Sequence, residues 1–192
     1  VRIETPVVDF LFGQAWNVFG DQPYYQPATI TIQGIPGSLY GRNPQARVSK
    51  TFTAGKLHVD AHLALERPPS RGSRYPALQN AVRVYYDGWK GIQTSGAHTT
   101  ATNPISVSIS SDVRRVTVAE FLPLPEFTQS KVMASISAGA YVPIIPAPKS
   151  GKANALSFVG ELVYGHGTAD QYTLLNSGLT FPVVANTLGI NP

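Results

Sequence analysis

LHVDAHLALE, residues 57–66, decides the fold. Leu57, Val59, Ala61, Leu63 and Leu65 are apolar, while His58, Asp60, His62 and Glu66 are polar, and only Ala64 interrupts the second set. A period of two makes a β-strand with one greasy and one wet face. Its ten residues exceed the usual length of about five or six. They match the roughly nine to eleven that a tilted strand needs to cross a bilayer. Full charges and imidazoles on the wet face suit a water-filled lumen better than a packed core.

Composition points the same way. Charged residues are 14% of the chain, against about 25% in ordinary soluble domains. Mean hydropathy is nevertheless only −0.03, and no stretch approaches the roughly 20 consecutive apolar residues of a membrane helix. Hydrophobicity spread over alternate positions gives this combination in a β-barrel. There is no cysteine, which excludes disulfides and Cys-based zinc sites. The net charge is only +4, and Arg114-Arg115 is the sole adjacent basic pair. Nucleic-acid binding would want a clustered basic face, so no nucleic-acid partner is expected.

Seventeen glycines and sixteen prolines divide the 192 residues into eight strand-like runs. These are 1–5, 8–19, 45–53, 57–66, 80–87, 104–119, 130–142 and 153–164. Short turns are expected at 6–7 and 53–56, and long loops at 20–43 and 67–79. Residues 88–103 are also read as loop, 143–152 as a turn, and Ser111-Asp112 as a bulge or turn. The seventh run puts Val132, Ala134, Ile136, Ala138, Ala140 and Val142 on one face. Helical periodicity is scarce. The expected fold is all-β: an antiparallel transmembrane β-barrel meander of about eight strands, incomplete, with 1–192 as a single β-barrel segment. VRIETP reads as strand and NTLGINP as loop, so a segment of a longer protein is expected. A soluble β-sandwich is the alternative, but it would want larger core side chains than Ala134, Ala138 and Ala140.

LFGQAWNVFG (11–20), PYYQPATITIQGIPGSLYGRNPQARVSKTF (23–52) and NALSFVGELVYGHGTADQYT (154–173) resemble a porin-type outer-membrane β-barrel of Gram-negative bacteria. The likeness lies in a GQxW strand leading into a loop, a GRxPQxR strand entry, and a later GE strand followed by a Gly-rich loop with an Asp. It implies an outer-membrane location, a barrel longer than this chain, and passive diffusion of small polar solutes or ions. It further implies a bilayer with lipopolysaccharide as partner, a homotrimer, and no cofactor. The chain lacks the final aromatic residue usual in such barrels, which fits an internal segment.

Pore-lining positions follow from the wet faces: Arg47, His58, Asp60, His62, Glu66, Arg83, Asp87 and Arg115. Arg47, Arg83 and Arg115 would form a basic ladder attracting anions, but for any one of them pairing with Asp60, Asp87 or Glu66, or simply facing water, is the favoured reading. His58, Asp60 and His62 share a face, with alternate residues about 6.5–7 Å apart. Zinc wants three or four converging ligands, so lumen lining is the favoured reading and no metal is expected. Trp16, Tyr86, Trp89 and Tyr164 fall near strand ends, where amphipathic rings suit a membrane interface. Ordinary sheet packing explains them equally well. No GxSxG elbow, P-loop or acid/base pair occurs, so the expected protein is not an enzyme. A barrel enzyme would require a Ser/His/carboxylate cluster at the rim. A soluble module binding carbohydrate through Tyr/Trp-rich loops is the other functional alternative.

Overall fold

The computed structural model describes residues 1–20, 39, 41–68, 75–93, 102–119, 128–146, 156–167 and 171–172. They form one sheet of eight strands in sequence order, every neighbour antiparallel. The strands are β1 (Arg2–Ile3), β2 (Asp9–Trp16), β3 (Arg42–Ala54), β4 (Leu57–Glu66), β5 (Ala77–Gln93), β6 (Thr102–Ala119), β7 (Thr128–Ile145) and β8 (Leu156–Gly165). Among the described residues β1 and β8 do not pair, so the sheet is open.

β4 occupies the span that its alternation predicts. Its apolar set continues across its neighbours: Leu63 lies between Val48 and Asn80, Val59 between Phe52 and Val84, and Leu65 between Ala46 and Leu78. The register carries this face on through Val107 and Ile109 of β6, Ala138 and Ala140 of β7, and Leu162 of β8. The other face carries the polar residues. A sheet that alternates this regularly cannot slip by one residue without exchanging all its faces.

The exposure of the two faces is inverted relative to a water-soluble sheet. Leu63, Val107 and Leu162 are 53%, 56% and 74% exposed, whereas Glu66, Gln79 and Asp112 are 0%, 0% and 2% exposed. The sheet curls towards its polar side. A methyl group on Gly91 of β5 would run into the Tyr141 hydroxyl of β7, two strands away.

Several boundaries differ from the sequence expectation, each for a physical reason. β2 ends at Trp16 rather than 19, because the chain turns inward and Val18 and Phe19 donate their amides to Gln79 instead of to a ladder. β5 runs through Gly88, and its register shifts fall between Tyr86 and Lys90 and between Lys90 and Gln93. Ser111 and Asp112 pair in unbroken register with β5 and β7, with no bulge. Pro143 lies inside β7 opposite Ser157, where the ladder is irregular between Pro143 and Ile145 and a missing N–H is tolerated. The expected loop at 20–43 lies largely outside the described residues, with only its ends and Leu39 described. The short connections expected early on are observed at 4–8 and 55–56. Later connections are of similar length at both ends of the sheet.

The β3–β4 hairpin turns on Gly55, whose φ is +63°, with open space where a side chain would stand. Gly55→Ala therefore meets no clash, only the left-handed backbone penalty of about 1–2 kcal/mol for an L-residue. A lowered urea unfolding midpoint is expected, with the slope unchanged.

Candidate functional site

The polar face is built from cross-strand rows. Three side chains of β4 each meet a hydroxyl of β3: Thr53 Oγ1 with His58 Nδ1 at 3.0 Å, Thr51 Oγ1 donating to Asp60 at 2.7 Å, and Ser49 Oγ with His62 Nδ1 at 2.7 Å. Their positions follow from the register, which puts each pair directly opposite. His58 Nε2 also lies 3.1 Å from Asp87, and its ring stacks on Tyr85 at 4.7 Å. The Arg83 guanidinium covers the other part of this row, 4.7 Å from the Tyr85 centroid, and donates to Ser106 Oγ at 3.3 Å. Arg83 is opposite Asp60 in the ladder. Arg47 is opposite Ala64 and Gln45 opposite Glu66. Glu66 is fully buried and accepts from Asn43 Nδ2 at 2.9 Å.

Arg47, His58, Asp60, His62, Glu66, Arg83 and Asp87 thus share the face expected of them. Arg115 does not. With no bulge at Ser111-Asp112, the alternation continues and Arg115 lies opposite Val132 on the apolar face, its guanidinium 5.9 Å from the Tyr75 ring. Arg114, 4% exposed, takes the polar position instead. Among the described residues, the arginines on the polar face of β3 to β8 are therefore Arg47, Arg83 and Arg114. His58, Asp60 and His62 go to separate hydroxyls, and among the described residues no group of three or more metal-ligating side chains is assembled.

Three of the four aromatics lie towards the ends of the sheet, and Tyr164 does not. Tyr86 pairs with Leu57 next to the hairpin, with Trp89 three residues beyond it. Trp16 ends β2 on the opposite side, whereas Tyr164, the penultimate residue of β8, pairs with Ile136 and falls in the same cross-strand row as Ser111, Asn80 and Leu63. Trp16 carries the Arg42 guanidinium 5.5 Å above its ring, and Tyr164 is 74% exposed.

Across the polar face runs a segment that sequence reasoning placed in β2 and its loop. Asn17, Val18, Phe19 and Gly20 are all buried. Val18 N and Phe19 N donate to Gln79 Oε1 at 3.0 and 3.2 Å, and Gly20 N donates to Ser110 Oγ at 2.9 Å. The floor beneath is made of small side chains, with Val18 packed against Ala64 and Ala81. Gly20 has φ +100°, and a Cβ there would come within 2.8 Å of Leu39 and 3.3 Å of Glu161 on β8. The segment thus reaches from β5 across β6 to β8 on the polar side.

Gln79 is the residue that sequence reasoning missed most consequentially. It fell in an assumed loop, although the alternation of Val82 and Val84 extended backwards would have put it on the polar face. Asp112 and Arg114 complete its surroundings. Gln79 Nε2 donates to Asp112 Oδ1 at 3.2 Å, and Arg114 Nε lies 3.6 Å from Asp112 Oδ2. Tyr172 bridges to Leu39, and burial followed by the Glu161 carboxylate raises its pKa. No protein family matches the sequence, and no curated protein or solved structure is significantly similar to it.

Gln79→Leu leaves the Val18 and Phe19 amides without their acceptor. An unsatisfied buried donor costs about 1–3 kcal/mol. Hydrogen exchange at these two amides is expected to accelerate by at least about tenfold, with β4 protection unchanged.

Proposed function

We propose that this chain forms part of the wall of an outer-membrane channel through which small polar solutes or ions diffuse passively. One observation carries the reading: the face rich in Leu, Val, Ile and Phe is exposed, and the face bearing Glu66, Gln79, Arg83, Asp112 and Arg114 is buried. In water an apolar surface of this extent would drive association. Against lipid tails it carries no such penalty, and the backbone of the interior strands β2 to β7 is satisfied within the sheet. The small outer residues Ala134, Ala138 and Ala140 favour this over a sandwich, whose second sheet would want deeper side chains to interdigitate.

The bilayer, with its lipopolysaccharide leaflet, is then the partner at the apolar face. Tyr86 and Trp89 at one end of the sheet and Trp16 at the other mark the interfaces. Solutes pass along the polar face, where Arg47, Arg83 and Arg114 oppose Asp60, Glu66 and Glu161 to set charge preference. The segment at Asn17 to Gly20 narrows the passage. Transport needs no catalytic step, so the reading is a channel rather than an enzyme, with a homotrimer as the proposed assembly.

Reconstitution tests this directly. The protein is expected to insert into lipid and give discrete conductance steps in planar bilayers. Leu63→Arg puts a charge on the lipid face and should reduce folding in lipid by about 2–4 kcal/mol if it lies near the midplane. Thr51→Arg, on the polar face beside Asp60, should fold normally and shift ion preference towards anions. Equal folding losses in the two variants, or a wild type that stays soluble without detergent and never conducts, would contradict the proposal.

A further inference from the structure

The apolar face changes character at one end. Among the described residues, the carboxylates of strands β2 to β8 all fall on the polar face: Asp9, Asp60, Glu66, Asp87, Asp112 and Glu161. Three arginines nevertheless stand on the apolar face, all towards the Trp16 end. Arg42 opens β3 opposite Trp16. Arg67 follows β4, and its N–H donates to the Pro44 carbonyl at 2.9 Å. The ladder thus continues by one residue, and alternation turns Arg67 outward with Leu63 and Leu65. Arg115 faces outward from β6, opposite Val132. All three are exposed, whereas Arg47, Arg83 and Arg114 on the other face are buried or half-buried.

The three form a band across the sheet. Arg42 lies two residues beyond Pro44, which makes it the diagonal neighbour of Arg67, with Cα atoms about 7–8 Å apart. The β4–β5 and β5–β6 registers, continued one or two residues past their last pairs, set Arg115 in the Arg67 row. It stands two strands on, about 10 Å away. Two of the guanidiniums lie against aromatic rings, Arg42 at 5.5 Å from Trp16 and Arg115 at 5.9 Å from Tyr75. Stacking fixes the plane of a guanidinium, whose N–H edge matches a phosphate in bidentate fashion. Directly below the band runs one cross-strand row of exposed apolar residues: Ala46, Leu65, Leu78, Val113 and Ala134. A cationic band over an apolar row complements a lipid with phosphates above acyl chains.

The end of the sheet on which the band lies names the leaflet. It is the side of the long 17–41 connection, opposite the short ones at 4–8 and 55–56. Outer-membrane barrels keep short turns in the periplasm and longer loops outside, so the band meets the lipopolysaccharide leaflet. Towards the other end, Lys50 and Lys90 have partners within the chain. Lys50 Nζ donates to the Pro6 carbonyl at 3.1 Å, and Lys90 Nζ lies 3.8 Å from Asp87.

We propose that Arg42, Arg67 and Arg115 bind the phosphate groups of lipopolysaccharide, with its acyl chains laid on the row from Ala46 to Ala134. The proposal rests on the outer-membrane reading above and gives its lipid partner a defined site.

The test does not depend on conduction. The full chain is folded in detergent with lipid A as the probe, and retained lipid A is measured by mass spectrometry over a concentration series. Dephosphorylated lipid A should bind at least about tenfold more weakly. Arg42→Gln, Arg67→Gln and Arg115→Gln should each weaken binding about fivefold, and together about a hundredfold, the order expected for basic residues at an anionic surface. Lysine at the same three positions should restore part of the binding, and Lys90→Gln should bind as the wild type does. Heat-modifiable gel mobility reports folding. Should the triple variant fail to fold, Arg67→Gln decides alone. Equal retention of lipid A by the wild type and the folded variant would overturn the site. So would equal binding of lipid A and its dephosphorylated form, or displacement by excess inorganic phosphate, which would make the ligand a free anion. A chain that binds lipid A through these arginines but never conducts would instead overturn the channel reading and leave the lipid site standing.

Discussion

The unbroken two-residue alternation of β4, locked in register between β3 and β5, is the constraint from which the rest follows. Ten consecutive pairs on either side leave no place for the faces to exchange. Once Leu63 is committed to one side, Ser49, Asp60, Arg83, Ser110 and Glu161 are committed to the other by ladder geometry alone. Every later feature is an elaboration of that polar side: the hydroxyl row of β3, the stacked His58 and Tyr85, and the chain laid across β5 and β6. A one-residue slip would bring Leu57, Val59 and Leu63 against this network and put Glu66 among the apolar residues.

What the sequence disclosed was the part governed by local periodicity. The order of the eight strands, the faces of β4 and β7, the Gly55 hairpin and seven of the eight expected polar positions follow from alternation and turn residues. Strand ends were poorly legible, since Gly88 and Pro143 signal breaks that the long neighbouring strands override. Arg115 was assigned to the wrong face for a related reason: Ser111-Asp112 has turn chemistry, but β5 and β7 hold it in the ladder from both sides. Tertiary pairing decided these positions against local propensity.

The inserted segment was illegible for a different reason. WNVF reads as a continuing strand, and nothing nearby ends it. Its terminator is Gln79, some sixty residues later, whose carboxamide supplies the acceptor that two successive amides need. Its seat is a floor of Ala64, Ala81 and Ser110 that no single strand displays. Only a folded sheet brings these together.

The burial pattern gives this arrangement its energetic sense. A polar network as dry as Gln79, Asp112 and Arg114 usually adds little to stability compared with apolar packing, because desolvation offsets the attraction. In a sheet whose apolar face is committed outward, apolar packing on the inner side is limited to patches such as Val18 on Ala64 and Ala81. Specificity must come from geometry instead. Each Gln79 polar atom has its own partner, and Asp112 and Arg114 extend the chain of contacts to Gly167. Such a network tolerates few rearrangements, and this is what allows a short stretch of backbone to hold one position across an otherwise open polar surface.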